Sequence, residues 1–132
     1  VNPLHAISGF CSSKHMPFKP IDVRGQIKER SKDIAQLSSL GCAAHEYLSV
    51  VKGQRDFAFY ARMKAWDHLA GVLAVEEAGG YVRTWDGSAY RPADERGGVF
   101  AARHKDTWEM AINHFSLGEI VRQFKALERK IS

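Results

Sequence analysis

The sequence predicts an α/β fold: a layered α/β/α domain on a mixed, mostly parallel sheet. Two observations carry that prediction. Short apolar runs of strand length alternate with helical periodicity along most of the chain. The 132 residues, 45% hydrophobic and 26% charged, suit one soluble globular domain with a real core.

Taken in order, "HAISGFCSS" is an apolar run of strand length. "KHMPFKPID", with Pro17 and Pro20, reads as a loop leading into a short helix over "VRGQIKERS". "DIAQLSSLG" admits two readings, since Ile34 and Leu37 suit a helix and a brief strand ending near Ser39 fits equally well. Leu40, Ala44, Tyr47, Leu48 and Val51 then recur at helical spacing, and Gly53 supplies a stop. "DFAFYAR" sets Phe57 and Phe59 against Ala58 and Tyr60, as a strand does. Asp67 is a good N-cap for the next helix, whose apolar face would be Leu69, Val72, Leu73 and Val75 and whose end is Gly79-Gly80. "YVRTW" is a strand closed by the Asp86-Gly87 turn, and "GVFAAR" is a buried-type strand joined to it without a helix, which predicts one antiparallel pairing. Helices over Lys105 to Phe115 and from about Leu117 complete the chain. In such a sheet ligands gather beyond the strand ends, against helix N-termini, which points to the stretch from Phe57 to Asp67 and to the turn around Gly41.

Composition narrows the function classes. The net charge is +4, but its densest cluster, "RQFKALERKIS", interleaves Arg122, Lys125, Arg129 and Lys130 with Phe124, Leu127 and Ile131, as on the solvated face of a surface helix. No aromatic RNP pattern, GXXG loop or zinc-knuckle spacing accompanies it, so nucleic acid is not an expected partner. No apolar run is long enough to span a bilayer, no stretch has a leader's pattern, and no membrane role is expected. Cys11 and Cys42 lack metal spacing; a disulfide between them stays open, and a reduced, cytoplasmic setting is the expectation. The chain opens with Val1, as a processed product or a fragment of a longer chain would.

Most catalytic arrangements are missing: there is no P-loop, GxGxxG, HExxH or GxSxG, and "HEYLS" lacks the second histidine of a metalloprotease helix. The six histidines are scattered and read as surface or core residues. Asp67 carries two readings. It is a helix cap, or it is a carboxylate ligand for Mg²⁺ at a strand-to-helix junction. One carboxylate cannot hold such an ion, and Asp56, Glu76 and Glu77 do not obviously converge on it.

"WDHLAGVLAVEEAGG" resembles the C-terminal signature of the inositol monophosphatase family of metal-dependent, lithium-sensitive phosphomonoesterases. The resemblance runs back through "SLGCAAHEYLSVVKGQRDFAFYARMKAWD", with its Gly-x-Ala turn, a helix ending in Gly and a strand beginning with Asp, and forward through "YVRTWDG" and "GVFAARH". It implies a Mg²⁺-dependent phosphatase acting on a small-molecule phosphate monoester: a sugar or inositol phosphate, or a related bisphosphate. Asp67 resembles the catalytic aspartate that ligates metal. Gly41, Cys42 and Ala43 match the turn whose backbone contacts the substrate's alcohol. Tyr60 falls where inositol-using members carry an acid that accepts from hydroxyls, and Lys64 matches a lysine frequent before the signature. Arg62 and Lys64 suit a more anionic substrate such as a bisphosphate, or are simply exposed strand-end charges. Leu69 stands where the family has a small residue.

The family's glutamate-containing motif and its Asp-Pro-x-Asp-Gly-Thr motif, which carry the other metal carboxylates, do not occur here. The resemblance therefore implies that residues 1–132 are the C-terminal half of the fold, without the N-terminal metal-binding half. It also implies negligible activity alone and a homodimer for the complete protein. The competing reading is a non-catalytic small-molecule or protein binding module that kept the fold and lost the metal site. A fragment predicts a large exposed apolar patch where the missing half would dock; a free-standing module predicts a polar surface there.

Overall fold

The computed structural model describes residues 2–12, 21–61, 65–91 and 98–131, with the side chains of 65–67 and 131 left out. The loop around Pro17 and Pro20 lies outside the described residues, as do Arg62 and Lys64. The elements follow the order β1 (Ser8–Ser12), α1 (Val23–Arg30), β2 (Gln36–Ser38), α2 (Ala43–Val51), β3 (Phe57–Tyr60), α3 (Ala65–Glu77), β4 (Tyr81–Arg83), β5 (Val99–Ala102), α4 (Lys105–Phe115) and α5 (Leu117–Ile131). The ambiguous "DIAQLSSLG" is thus a strand.

Among the described residues the sheet has the order β2-β1-β3-β5-β4. β1 pairs in parallel with β2 and β3, and β5 pairs antiparallel with β3 and β4. The antiparallel part therefore reaches one strand further than the direct β4–β5 connection implied. β5 enters between β3 and β4, so its direction opposes both neighbours.

Side-chain alternation along the strands builds two cores, one on each face. Phe57, Phe59, Phe100 and Ala102 join α1, α4 and α5 through Val23, Ile27, Trp108, Phe115 and Leu117. Ala58, Tyr60, Val99 and Ala101 face α2 and α3 through Tyr47, Val50, Val72 and Val75. Phe59 and Phe100 stack at 5.0 Å and 5° across the antiparallel pair. β1 admits Phe57 beside it because Gly9, its register partner, has no Cβ to strike that ring.

Gly71 does the same between the helices of the other face: a Cβ there would collide with the Tyr47 ring. Gly71→Ala is therefore expected to destabilise the chain by about 1–3 kcal/mol, because the ring has no room to yield without repacking. A denaturant midpoint unchanged from wild type would contradict that close approach.

Two expected faces need correction. Leu40 lies before α2, and Leu48 on that helix is 45% exposed, while Glu46, Tyr47 and Val50 are its buried side. In α3, Val72 and Val75 are buried as expected, but Leu69 and Leu73 are 38% and 53% exposed. The helices carry apolar residues on two sides, so periodicity alone could not tell which side the sheet takes. α3 also starts at Ala65, which puts Asp67 inside the first turn rather than at the cap.

The basic C-terminal segment is the solvated side of α5. Leu117, Ile120 and Val121 pack inward, Arg122 pairs with Glu119 at 2.8 Å, and Lys125 pairs with Asp86 at 3.2 Å. Burial pushes the Asp86 carboxyl up. Hydrogen bonds from Thr84, Ser88 and Lys125 outweigh it and hold the group well below the usual carboxylate range. A depressed folded pKa contributes stability above the unfolded value near 4, and that stability is lost as pH falls below it.

Both cysteines are free, Cys11 buried and Cys42 exposed. Burial, with the nearby Glu46 charge, pushes the Cys11 thiol far up. One thiol per chain should therefore react with a disulfide reagent in the native state and two in denaturant. Two fast native thiols would refute the buried placement of Cys11.

Candidate functional site: the carboxyl edge of the parallel strands

Because β1, β2 and β3 run in parallel, their carboxyl ends meet at one edge of the sheet. The chain leaves β2 toward one side of β1 and returns as β3 on the other, which makes β1/β3 a topological switch point. α2 begins at that edge after the Ser39–Cys42 turn, and α3 begins there after β3. Two helix N-termini thus converge, with dipoles that favour an anion.

The turn before α2 is built from backbone. Gly41 adopts φ 72°, and Cys42 caps the helix in extended conformation without a side-chain hydrogen bond. First-turn amides of α2 therefore have no cap to satisfy them. Gly41 and Cys42 are exposed and Ala43 is half-buried, so the turn is open to a ligand.

Behind the turn lies a buried polar network. Glu46 is 2% exposed; its Oε2 accepts from the Leu40 backbone N–H at 2.8 Å and its Oε1 from the Tyr60 hydroxyl at 2.7 Å. The Tyr47 hydroxyl lies 2.8 Å from His68 Nδ1, which ties α2 to α3 one residue past Asp67. Tyr60 and His68 rings meet edge-on at 4.7 Å. Burial, then the Tyr47 and Glu46 charges, push the Tyr60 phenol far up, so it is a neutral donor. Among the described residues no buried side-chain nitrogen or oxygen lacks a partner.

Of the residues singled out in the sequence, Tyr60 is joined through Glu46 to Leu40, the residue before the Gly41, Cys42 and Ala43 turn. Asp67 shares the edge as part of the first turn of α3. Asp56 sits at the opposite end of β3, where its carboxylate accepts from the Ser8 N–H at 2.9 Å, and Glu76 and Glu77 are exposed near the end of α3. Glu46 and His68 escaped the sequence reading, and Tyr47 entered it only as part of a helical apolar face. The available signal was the alternative helical frame Ala43, Tyr47, Val50, which places Glu46 on the buried side.

Among the described residues, no three His, Cys, Asp or Glu side chains gather where they could hold a metal ion. Asp67 adds one carboxylate by sequence, fewer than a hard divalent cation requires. No step through a metal is therefore assigned to this chain.

The fold is an open α/β sheet whose switch-point edge, with two helix N-termini, favours an anion. The Inositol monophosphatase family profile matches residues 6–117, and the chain belongs to that family. It is 36% identical over 83 residues to the Nus factor SuhB of Xylella fastidiosa, an alignment covering 53% of this chain and 30% of that protein. It is 32% identical over 62 residues to the inositol-1-monophosphatase of Mesorhizobium japonicum, covering 47% and 23%. The fold superposes on the Thermotoga maritima IMPase with TM-score 0.71 at 23% identity, over 92% of this chain and 44% of that one. The chain thus spans less than half the length of each of these relatives.

Proposed function

We propose that the chain is the C-terminal, substrate-alcohol-binding portion of a Mg²⁺-dependent phosphatase of small-molecule phosphate monoesters, and that it is inactive alone. The observation that carries this reading is the open Gly41–Cys42–Ala43 turn at the start of α2, at the same sheet edge as the first turn of α3 that includes Asp67. Its exposed amides suit an alcohol oxygen, and the two helix N-termini suit the phosphate. Asp67 would be one metal ligand, and Mg²⁺, when bound in the complete protein, would screen the charge of the reacting phosphate. Tyr60 carries no charge and donates its hydroxyl hydrogen bond to Glu46, so a substrate hydroxyl meets no acidic acceptor from that side chain. Arg62 and Lys64 would favour an ester with a second anionic group.

The exposed leucines support the reading of a partial fold. Leu40, Leu48, Leu69 and Leu73 leave apolar surface on and beside the outer side of the α2–α3 layer, where a free-standing module would be polar. A cytoplasmic homodimer is the assembly we propose for the complete protein. Phosphate release from inositol 1-phosphate, a sugar phosphate and a bisphosphate, with Mg²⁺, tests the proposal on the intact gene product. Turnover of at least one ester supports it. Failure on all three, with retained binding of any, would favour the non-catalytic module.

A further inference from the structure

We propose that Glu46 is a positioning residue that sets the Gly41–Cys42–Ala43 turn against the end of β3, with Tyr60 as its anchor. The claim rests on the reading above only in taking that turn as the part that meets substrate. The start of the turn has little packing to hold it: Leu40 is 57% exposed, and a Cβ added at Gly41 would meet no atom within 4 Å. Ala43 packs on the core between the sheet and α2–α3, and the Cys42 carbonyl accepts the helix's own bond from the Glu46 N–H at 3.2 Å. Two side-chain hydrogen bonds hold Leu40 and Gly41. Ser39 Oγ accepts from the Gly41 N–H at 3.3 Å, a long contact, and Glu46 Oε2 accepts from the Leu40 N–H at 2.8 Å.

The second of these is the firmer, because its acceptor is itself immobilised. Glu46 belongs to α2, is 2% exposed, and its other oxygen is held at 2.7 Å by the hydroxyl of Tyr60, which is 4% exposed on β3. A carboxylate has two acceptor oxygens, and here each faces a different element. The chain from strand through phenol and carboxylate to the Leu40 amide therefore transmits the position of β3 to the residue before Gly41. A charged acceptor makes each bond shorter and stronger than a neutral one. An acid of this length at the fourth position of α2 is what reaches back past the cap.

Glu46→Gln and Tyr60→Phe in this chain, followed by amide hydrogen exchange and backbone NMR shifts, provide the test. Glu46→Gln keeps one acceptor oxygen and removes the charge, so exchange at Leu40 is expected to speed by about tenfold as its bond loses charge assistance. It should also move the Gly41, Cys42 and Ala43 resonances, while amides in β5 keep their protection. Tyr60→Phe should move the same resonances by a smaller amount. Unchanged Leu40 exchange in Glu46→Gln, or a uniform rise across the sheet, would overturn the proposal. In the intact gene product Glu46→Gln should raise KM about tenfold with kcat within about twofold of wild type, because the turn binds substrate and transition state alike. A fall in kcat at constant KM would also overturn it. If the wild-type intact protein hydrolyses no ester, the phosphatase reading fails, and the exchange data still decide the role of Glu46.

Discussion

Asp67→Asn, introduced into the intact gene product, is expected to lower kcat/KM for phosphate-ester hydrolysis by at least about a hundredfold. Removing a partner that merely orients a metal ligand costs about 10–100-fold, and removing a ligand's own charge costs more. The substitution is isosteric and keeps the helix. Its structural cost is the loss of an acid from the first turn of α3, about 0.3–1 kcal/mol through the helix dipole. Steady-state rates at several Mg²⁺ concentrations, with a thermal melt alongside, separate the two effects. A variant with wild-type rate would remove Asp67 from the metal site and leave it a first-turn acid.

Phe59→Ala is expected to destabilise the chain by about 3–5 kcal/mol, a large share of what a domain of this size possesses. Phe59 is fully buried in the middle of the sheet, stacked on Phe100, tilted against Phe115 at 5.1 Å and edge-on to Trp85 at 6.1 Å. Strand β5, helix α4 and the segment after β4 all meet on this one ring, so the cavity left by its removal cannot collapse from one side. Urea unfolding of the two proteins measures the difference directly. A loss below about 1 kcal/mol would mean that the aromatic cluster repacks, contrary to the tight two-sided burial of β3.

The strands and the helix ends were legible because local chemistry decides them. Alternation gave β3 its two faces, glycines at positive φ closed α2 and α3 at Gly53 and Gly79, and the Asp86-Gly87 turn followed β4. What escaped the sequence was set by tertiary contact. Leu48, Leu69 and Leu73 look like core residues by periodicity but face outward, because Tyr47, Val50, Val72 and Val75 already fill the space above the sheet. Glu46 looks like a surface acid in "AHEYL", yet strand β3 supplies a hydroxyl and the turn supplies an amide, and that pair makes burial tolerable. The turn at Gly41 was legible as a turn, as its φ of 72° shows, whereas the side-chain network behind it was not. The resemblance placed Tyr60 at the site as a hydroxyl contact, whereas its proton is already committed within the core.

Phosphate release measured side by side, with Mg²⁺ and one set of phosphate esters, on the pure 132-residue chain and on the intact gene product separates a partial phosphatase from a free-standing module. A partial phosphatase gives a silent chain and an active intact protein. Robust Mg²⁺-dependent release from the chain alone, or none from the intact protein, would contradict that reading.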